Sequence, residues 1–382
     1  MPREDDGLEA TSTTRRYLTG DASLDEAILN LVTRAAPGTE AYLVSEIIST
    51  ALKLARDQAT RGDMKILSRS LRELRYAFKT FRPYRHVRKV SVFGSARVPS
   101  DHPAHQLAHD FGEQIVREGF MVITGAGDGI MGAAQRGAGS KNSFGVNILL
   151  PFEQLPNEAI RNDRKLMTFK YFFSRKLVFL KESDAVVLFP GGFGTHDEGF
   201  ESLTLLQTGK ANPAPIVYVH ARDDDYWRDW DRYVREHLLG KGYISPEDVS
   251  LYRMVDTAEA AVAEIRNFYR VYHSARYVGD QLVLRLQTAL PTDVVAALGR
   301  EFHDILKGGT LDQRGPLAEE VTEPELNHLP RLVLHFNRRN FGRLRQLIDR
   351  VNESVPGFEP AHVAQRYTNG SNGSHPATPE PS

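Results

Sequence analysis

The chain of 382 residues contains no cysteine. That absence excludes a disulfide framework, thiolate metal centres and cysteine nucleophiles. No apolar run approaches the roughly 18–20 residues that cross a bilayer, so the sequence offers no membrane span. The stretch MPREDDGLEATSTTRRY at the amino terminus lacks the apolar core of a secretory signal. A cytoplasmic protein is the expectation. An excess of one charge is missing too: 48 Lys and Arg stand against 49 Asp and Glu, a net charge of −1. No global field then draws the chain to nucleic acid or to a membrane surface, and neither is expected as a partner. What is present is an ordinary globular composition, 41% hydrophobic and 25% charged. The length allows two or three units with cores of their own.

The hydropathy rhythm divides the chain. Residues 1–20 are polar and expected to be disordered. Over 21–86, Leu, Ile and Val recur at three- and four-residue spacing, interrupted at Pro37-Gly38 and Arg61-Gly62. This predicts a helical amino-terminal unit. From 87 to 272, short apolar runs alternate with helical patterns. Strands are expected over 90–93, 121–124, 146–150, 185–189 and 216–219, with a further one over 251–255. Helices are expected over 104–118, 130–137, 171–182, 196–208, 225–238 and 258–271. Strand–helix alternation of this kind predicts an α/β core: a Rossmann-like parallel sheet with helices on both faces. Such sheets bind ligands at the carboxyl ends of their strands. Residues 273–360 read as a small α+β unit of ferredoxin or ligand-sensing type. Its strands are QLVLRLQ and RLVLHF, and its helices run from Pro291 through Leu306 and over 340–351. Residues 361–382 form a low-complexity tail, expected to be disordered.

Glycine clusters close three of the core strands. Gly94 and Ser95 follow the first strand. Gly125, Gly127, Asp128 and Gly129 follow the second. Pro190, Gly191, Gly192, Gly194 and Thr195 follow the run 185–189. In a parallel sheet these turns share one edge, and each opens a helix. A helix amino terminus presents free N–H groups and a positive dipole end. Glycine lets that backbone approach an anion closely. Three such turns at one edge point to a phosphate-bearing nucleotide, with Ser95 and Thr195 as hydroxyl donors. A second reading takes Gly127 to Gly132 as a G-x-G-x-x-G dinucleotide fingerprint, with Glu153 as its ribose acid. It leaves PGGFGTHDE unexplained. In that segment Glu198 stands in the first turn of a helix, beside the predicted phosphate. Arg175 and Lys176 are cations available to balance them. His102, His105 and His109 lack the carboxylate cluster that would complete a metal site, and none is expected.

These residues carry a resemblance. PGGFGTHDE fits P-G-G-x-G-T-x-x-E, the signature of the LOG ("Lonely Guy") phosphoribohydrolases. Arg175-Lys176, the FGSAR turn, the TGAGDGIMGA turn and the segment LPFEQLPNEAI follow that family's order. The resemblance covers about residues 88–271. The flanking units are similar in arrangement to those of the longer bacterial nucleotide nucleosidases. It implies hydrolysis of the N-glycosidic bond of a nucleoside 5′-monophosphate, AMP-like or a cytokinin riboside monophosphate, to free base and ribose 5-phosphate. Arg175 and Glu198 match the catalytic pair. Gly191, Gly192, Gly194 and Thr195 match the phosphate loop. Asp128, Glu153 and Asn157 are candidates for base and ribose. No cofactor is implied, and a homodimer or higher homo-oligomer is. Relatives of the same superfold carry nucleotides or a molybdenum cofactor without hydrolysis. A carrier or sensor is therefore the alternative.

Overall fold

A computed structural model describes residues 18–36, 38, 40–151, 155–320 and 322–366. The expected disorder at 1–17 and 367–382 falls outside the described residues, and so does Glu153. Two compact units part between Arg75 and Tyr76. The first contains helices α1 (Ala22–Ala35) and α2 (Ala41–Arg56) and most of α3 (Arg61–Phe81). Their starts are written in the sequence. Asp21 accepts hydrogen bonds from the N–H groups of Ser23 and Leu24. Thr60 and Asp63 bond reciprocally to each other's backbone N–H at the start of α3. Among the described residues no helix is long and apolar enough to cross a membrane.

The second unit holds two sheets. The larger has seven strands: β1 (Lys89–Phe93), β2 (Met121–Thr124), β3 (Ser143–Ile148), β4 (Leu166–Phe169), β5 (Ala185–Leu188), β6 (Ile216–Val219) and β7 (Tyr252–Val255). Their order is β4-β3-β2-β1-β5-β6-β7, and every pairing is parallel. This is the Rossmann-like α/β arrangement the alternation predicts. Every residue of β1, β2, β5 and β6 is buried, which explains why β5 and β6 read as unbroken apolar runs and why β1 and β2 are apolar except at Lys89, Ser91 and Thr124. The flanking helices are α4 (Pro103–Arg117), α5 (Ile130–Ala138), α6 (Phe172–Glu182), α7 (Phe193–Gln207), α8 (Tyr226–Tyr233) and α9 (Ala258–Phe268). The chain winds outward from β1 to β4. Helix α6 then carries it back to β5, on the other side of β1. The direction of winding therefore reverses between β1 and β5, and a crevice opens at such a switch point.

Four antiparallel strands form the smaller sheet, in the order β10-β11-β9-β8. They are β8 (Tyr272–Val278), β9 (Gln281–Leu286), β10 (Leu306–Arg314) and β11 (Arg331–Phe336). Helices α10 (Thr292–Glu301) and α11 (Phe341–Glu353) complete this part. Residues of both sheets belong to one apolar core.

Several elements depart from the sequence reading. Strand β4 was not expected; it is a four-residue edge strand with alternating burial behind a charged segment. β8 and β10 were also not expected. β8 is interrupted by His273, Ser274 and Arg276, and β10 carries Gly308-Gly309 on an exposed edge. Helix α10 stops at Glu301 rather than Leu306, because a short 3-10 turn intervenes and Leu306 already pairs with Phe336. Residues 361–366, read as tail, are tied to the core: Gln365 bridges Val87, and Arg366 bonds Asp184.

Candidate active site

The loops after β1, β2 and β5 meet. The N–H of Ser95 donates to the Pro190 carbonyl at 3.0 Å, and the N–H of Ile130 donates to the Ser95 carbonyl at 3.1 Å. The first loop is thus wedged between the other two. The wedge explains several glycines. A Cβ on Gly94 would fall 2.6 Å from Ile130 Cγ2. One on Gly129, whose φ is +59°, would fall 2.4 Å from the Ser95 carbonyl oxygen. A Cβ on Gly191 would fall 2.1 Å from Thr195 Oγ1. On Gly125 it would meet Met131 Sδ at 3.0 Å. Gly192 and Gly194 differ. No atom lies within 4 Å of a Cβ at either, and neither has positive φ. Packing does not require glycine there. Phe193 between them is 97% exposed. The turn that opens α7 is therefore bare backbone facing outward.

The charged residues of α6 and α7 meet beside this turn. Glu198 lies one turn into α7 and is buried. Arg175 Nη2 stands 3.7 Å from one carboxylate oxygen, and Lys176 Nζ stands 3.8 Å from the other. Both are ion-pair distances rather than hydrogen bonds. Burial pushes the Glu198 carboxyl up to about 7, although Lys176 and Arg175 pull it down. Burial also pushes the Arg175 guanidinium down, against the pull of Glu198. Arg175 Nε is buried and has no hydrogen-bond partner among the described residues. The guanidinium lies 5.1 Å from the ring centroid of Phe172 and 5.6 Å from that of Phe179. Lys176 bonds Asp197 at 2.9 Å and also pairs with Glu201. Burial works against its charge, but these carboxylates raise it overall. A carboxylate loosely held by two cations, with a guanidinium N–H unspent, is poised to take further partners.

The other sequence candidates occupy distinct places. Thr195 is buried, and its N–H bonds the Gly192 carbonyl at 3.0 Å. Ser95 Oγ accepts from the N–H of Arg97 at 3.1 Å. Asp128 is exposed at the tip of the β2 loop. Asn157 is buried beneath that loop, where its amide nitrogen donates to the Gly127 carbonyl and to Gln135 Oε1, leaving Oδ1 without a partner among the described residues. Of the three histidines, His102 caps α4, His105 bonds Arg136 and His109 faces Asp110. Sequence reasoning missed Tyr226. Its hydroxyl donates to the Gly191 carbonyl and lies 2.6 Å from His196 Nε2. No motif joins positions 191, 196 and 226, so only the fold reveals this group.

Similarity to known proteins falls on the same region. A family model described as "possible lysine decarboxylase" matches residues 131–265. Over 182 residues the chain is 30% identical to a cytokinin riboside 5′-monophosphate phosphoribohydrolase of Rhodococcoides fascians, covering 47% of this chain and 90% of that protein. A protein of the same name from Mycobacterium tuberculosis is 28% identical over 176 residues, covering 45% of this chain and 90% of its own. Among solved structures, the molybdenum cofactor binding protein of Rippkaea orientalis covers 46% of this chain and 91% of its own at 18% identity, with a TM-score of 0.33. A likeness at that level carries no functional argument. The identity to the Rhodococcoides protein extends over nearly its whole length. The chain therefore belongs to the LOG family, the cytokinin riboside 5′-monophosphate phosphoribohydrolases and their relatives.

Proposed function

We propose that the protein hydrolyses the N-glycosidic bond of nucleoside 5′-monophosphates. The products are free base and ribose 5-phosphate. One observation carries the reading: a buried carboxylate with two loosely held cations sits one helical turn from an open, glycine-lined helix terminus. The helix terminus suits a 5′-phosphate, which Gly191, Gly192 and Gly194 would receive through backbone N–H groups and Thr195 through its hydroxyl. The ribose then lies over Glu198. As the C1′–N bond breaks, its electron pair leaves with the base, which takes up a proton, and positive charge develops on the sugar. The Glu198 carboxylate stabilises that charge and orients the water that attacks C1′. Arg175 faces Glu198 through Nη2 and would meet the phosphate with its other terminal N–H groups, so one side chain registers both. Asp128 and Glu153 are assigned to the base and ribose side of the site, and Asn157, buried beneath the β2 loop, to holding that loop in place. A homodimer or higher homo-oligomer in the cytoplasm belongs to the same reading.

The description "possible lysine decarboxylase" fits the residues less well. Lys176 is locked by Asp197 and Glu201 and faces Glu198, which keeps its amine protonated. A Schiff-base nucleophile needs a free amine. The dinucleotide reading is weakened at Gly129, where a Cβ would run into the backbone of Ser95 and Ala96, so packing alone requires glycine there.

The test is a panel of nucleoside 5′-monophosphates, AMP and a cytokinin riboside monophosphate among them, with the matching nucleosides. Free base is measured by chromatography. Release from monophosphates alone, lost about 100-fold or more in Glu198→Gln and Arg175→Ala, is the expected result. Binding without release from any nucleotide would leave a carrier or sensor.

A further inference from the structure

We infer that Tyr226 is a positioning residue, which fixes the direction of the Gly191–Gly192 peptide through a hydrogen bond to its carbonyl. The inference rests on assigning this loop to phosphate. That peptide lies between two glycines, so side chains offer little resistance to its rotation. In a planar trans peptide the C=O and N–H groups point opposite ways. Holding the Gly191 carbonyl toward Tyr226 therefore turns the N–H of Gly192 away from Tyr226. That N–H has no backbone acceptor among the described residues. Released, the same peptide can flip and present its carbonyl oxygen where the amide stood. A carbonyl there would repel a phosphate.

The clamp has a second arm. A tyrosine hydroxyl has a single hydrogen, and here it goes to the Gly191 carbonyl. Its oxygen must then accept from His196 Nε2 at 2.6 Å, which fixes the proton of that ring on Nε2. His196 directly follows Thr195 on α7. Tyr226 comes from α8, after β6. One hydroxyl thus ties the glycine loop both to its own helix and to a neighbouring element. Both His196 and Tyr226 are braced by Trp227, whose ring lies 4.7 Å from that of Tyr226. His196 meets Trp227 edge-on at 5.5 Å, and Trp227 packs on Tyr218 of β6 at 4.6 Å.

The test is Tyr226→Phe, which removes the hydroxyl and keeps the ring. Losing one oriented hydrogen bond of this kind is expected to raise KM for a nucleoside 5′-monophosphate about tenfold, with kcat within about threefold. Binding of ribose 5-phosphate weakens by the same factor while binding of the nucleoside is unchanged, which general destabilisation would not cause. His196→Leu shows a smaller rise, and His196→Gln, which keeps a donor, recovers part of it. Wild-type KM and selectivity in Tyr226→Phe would overturn the clamp. So would an equal loss of binding toward monophosphate and nucleoside accompanied by a lower melting temperature. The readout also works apart from catalysis. If the wild-type protein releases no base, the function is wrong, and the clamp is judged by amide hydrogen exchange at 191–194 and by binding of ribose 5-phosphate. Faster exchange and weaker binding in Tyr226→Phe support it; unchanged values of both overturn it.

Discussion

Strands β1 and β5 run side by side, and a cluster of charge sits at each end of the pair. At the amino end stand Arg88 and Asp184, the residues just before the two strands. The Asp184 carboxylate accepts from the N–H of Lys89 at 2.8 Å and from Arg366 Nε and Nη2 at 2.8 Å each. Arg88 faces it at 3.4 Å and donates to the carbonyls of Val363 and His273. Burial pushes this carboxyl up, but Arg366 and Arg88 outweigh it and hold the group below its usual range. At the carboxyl end Glu198 is as deeply buried, yet its cations stay at 3.7 and 3.8 Å, and burial wins. The same kinds of residue thus do opposite things. Where every lone pair is met at close range, the ions hold the fold together. Where burial outruns partnering, the charge is kept ready for something else.

Exchanging the consequences of the two clusters is the strongest test of that contrast. Glu198→Gln is expected to lower kcat/KM about 10²- to 10⁴-fold and to leave the melting temperature at neutral pH unchanged or higher. Asp184→Asn is expected to cost about 3–5 kcal/mol in a denaturant titration, because two arginines lose the charge they surround. Its activity per folded molecule stays at the wild-type level. A harmless Asp184→Asn beside an unfolded Glu198→Gln would break the comparison.

Stability against pH sharpens it, because the two carboxyls are shifted in opposite senses. The folded-state value of Glu198 is raised from 4.5 to about 7. Its contribution to stability is complete below about 4.5 and is lost as pH rises through about 7. Asp184 lies below its reference of 3.8 when folded. Its contribution is present above that reference and is lost as pH falls through the folded value. Denaturant midpoints across this range should therefore lose their decline toward neutral pH in Glu198→Gln, and part of their acid-side decline in Asp184→Asn. Parallel profiles for the two variants would show that burial does not separate the groups.

The two ends were not equally legible in the sequence. The carboxyl end was, because a phosphate turn needs several special residues in one short stretch. PGGFGTHDE announces itself, and the alternation of buried strands with helices puts three glycine turns on one edge. Arg88, Asp184 and Arg366 gave no such signal. They lie at 88, 184 and 366, and a salt bridge carries no spacing rule across that distance. Residues 361–366 read as tail because their composition is loop-like, and it takes the pairing of Gln365 with Val87 and the bonds of Arg366 to Asp184 to show otherwise. Edge strands β4, β8 and β10 were missed for a related reason. A strand with polar neighbours or glycines gains its stability from pairing, which the local pattern does not report.

The glycines carry the contrast down to its smallest expected effects. Gly129 and Gly192 stand in turns of similar sequence on the same edge, and the sequence alone gives them one reason for being glycine. Their surroundings give two. Gly129 has φ +59° and faces the Ser95 carbonyl so closely that a Cβ would lie 2.4 Å away. Gly129→Ala is expected to cost about 1–3 kcal/mol through backbone strain, before any displacement of the β1 loop is counted. Gly192 has φ −85° and ψ −159°, an extended conformation open to any residue, and an added Cβ meets nothing within 4 Å. Gly192→Ala should leave stability within about 0.5 kcal/mol of wild type, as a surface change away from special geometry does. What it changes is the outer face of the turn, where a methyl group would stand beside the incoming phosphate. Its signature is a higher KM for monophosphates at an unaltered melting temperature. If Gly192→Ala instead destabilises the protein as much as Gly129→Ala while KM holds, the open turn is a folding requirement, and the phosphate must be sought at another loop of the crevice.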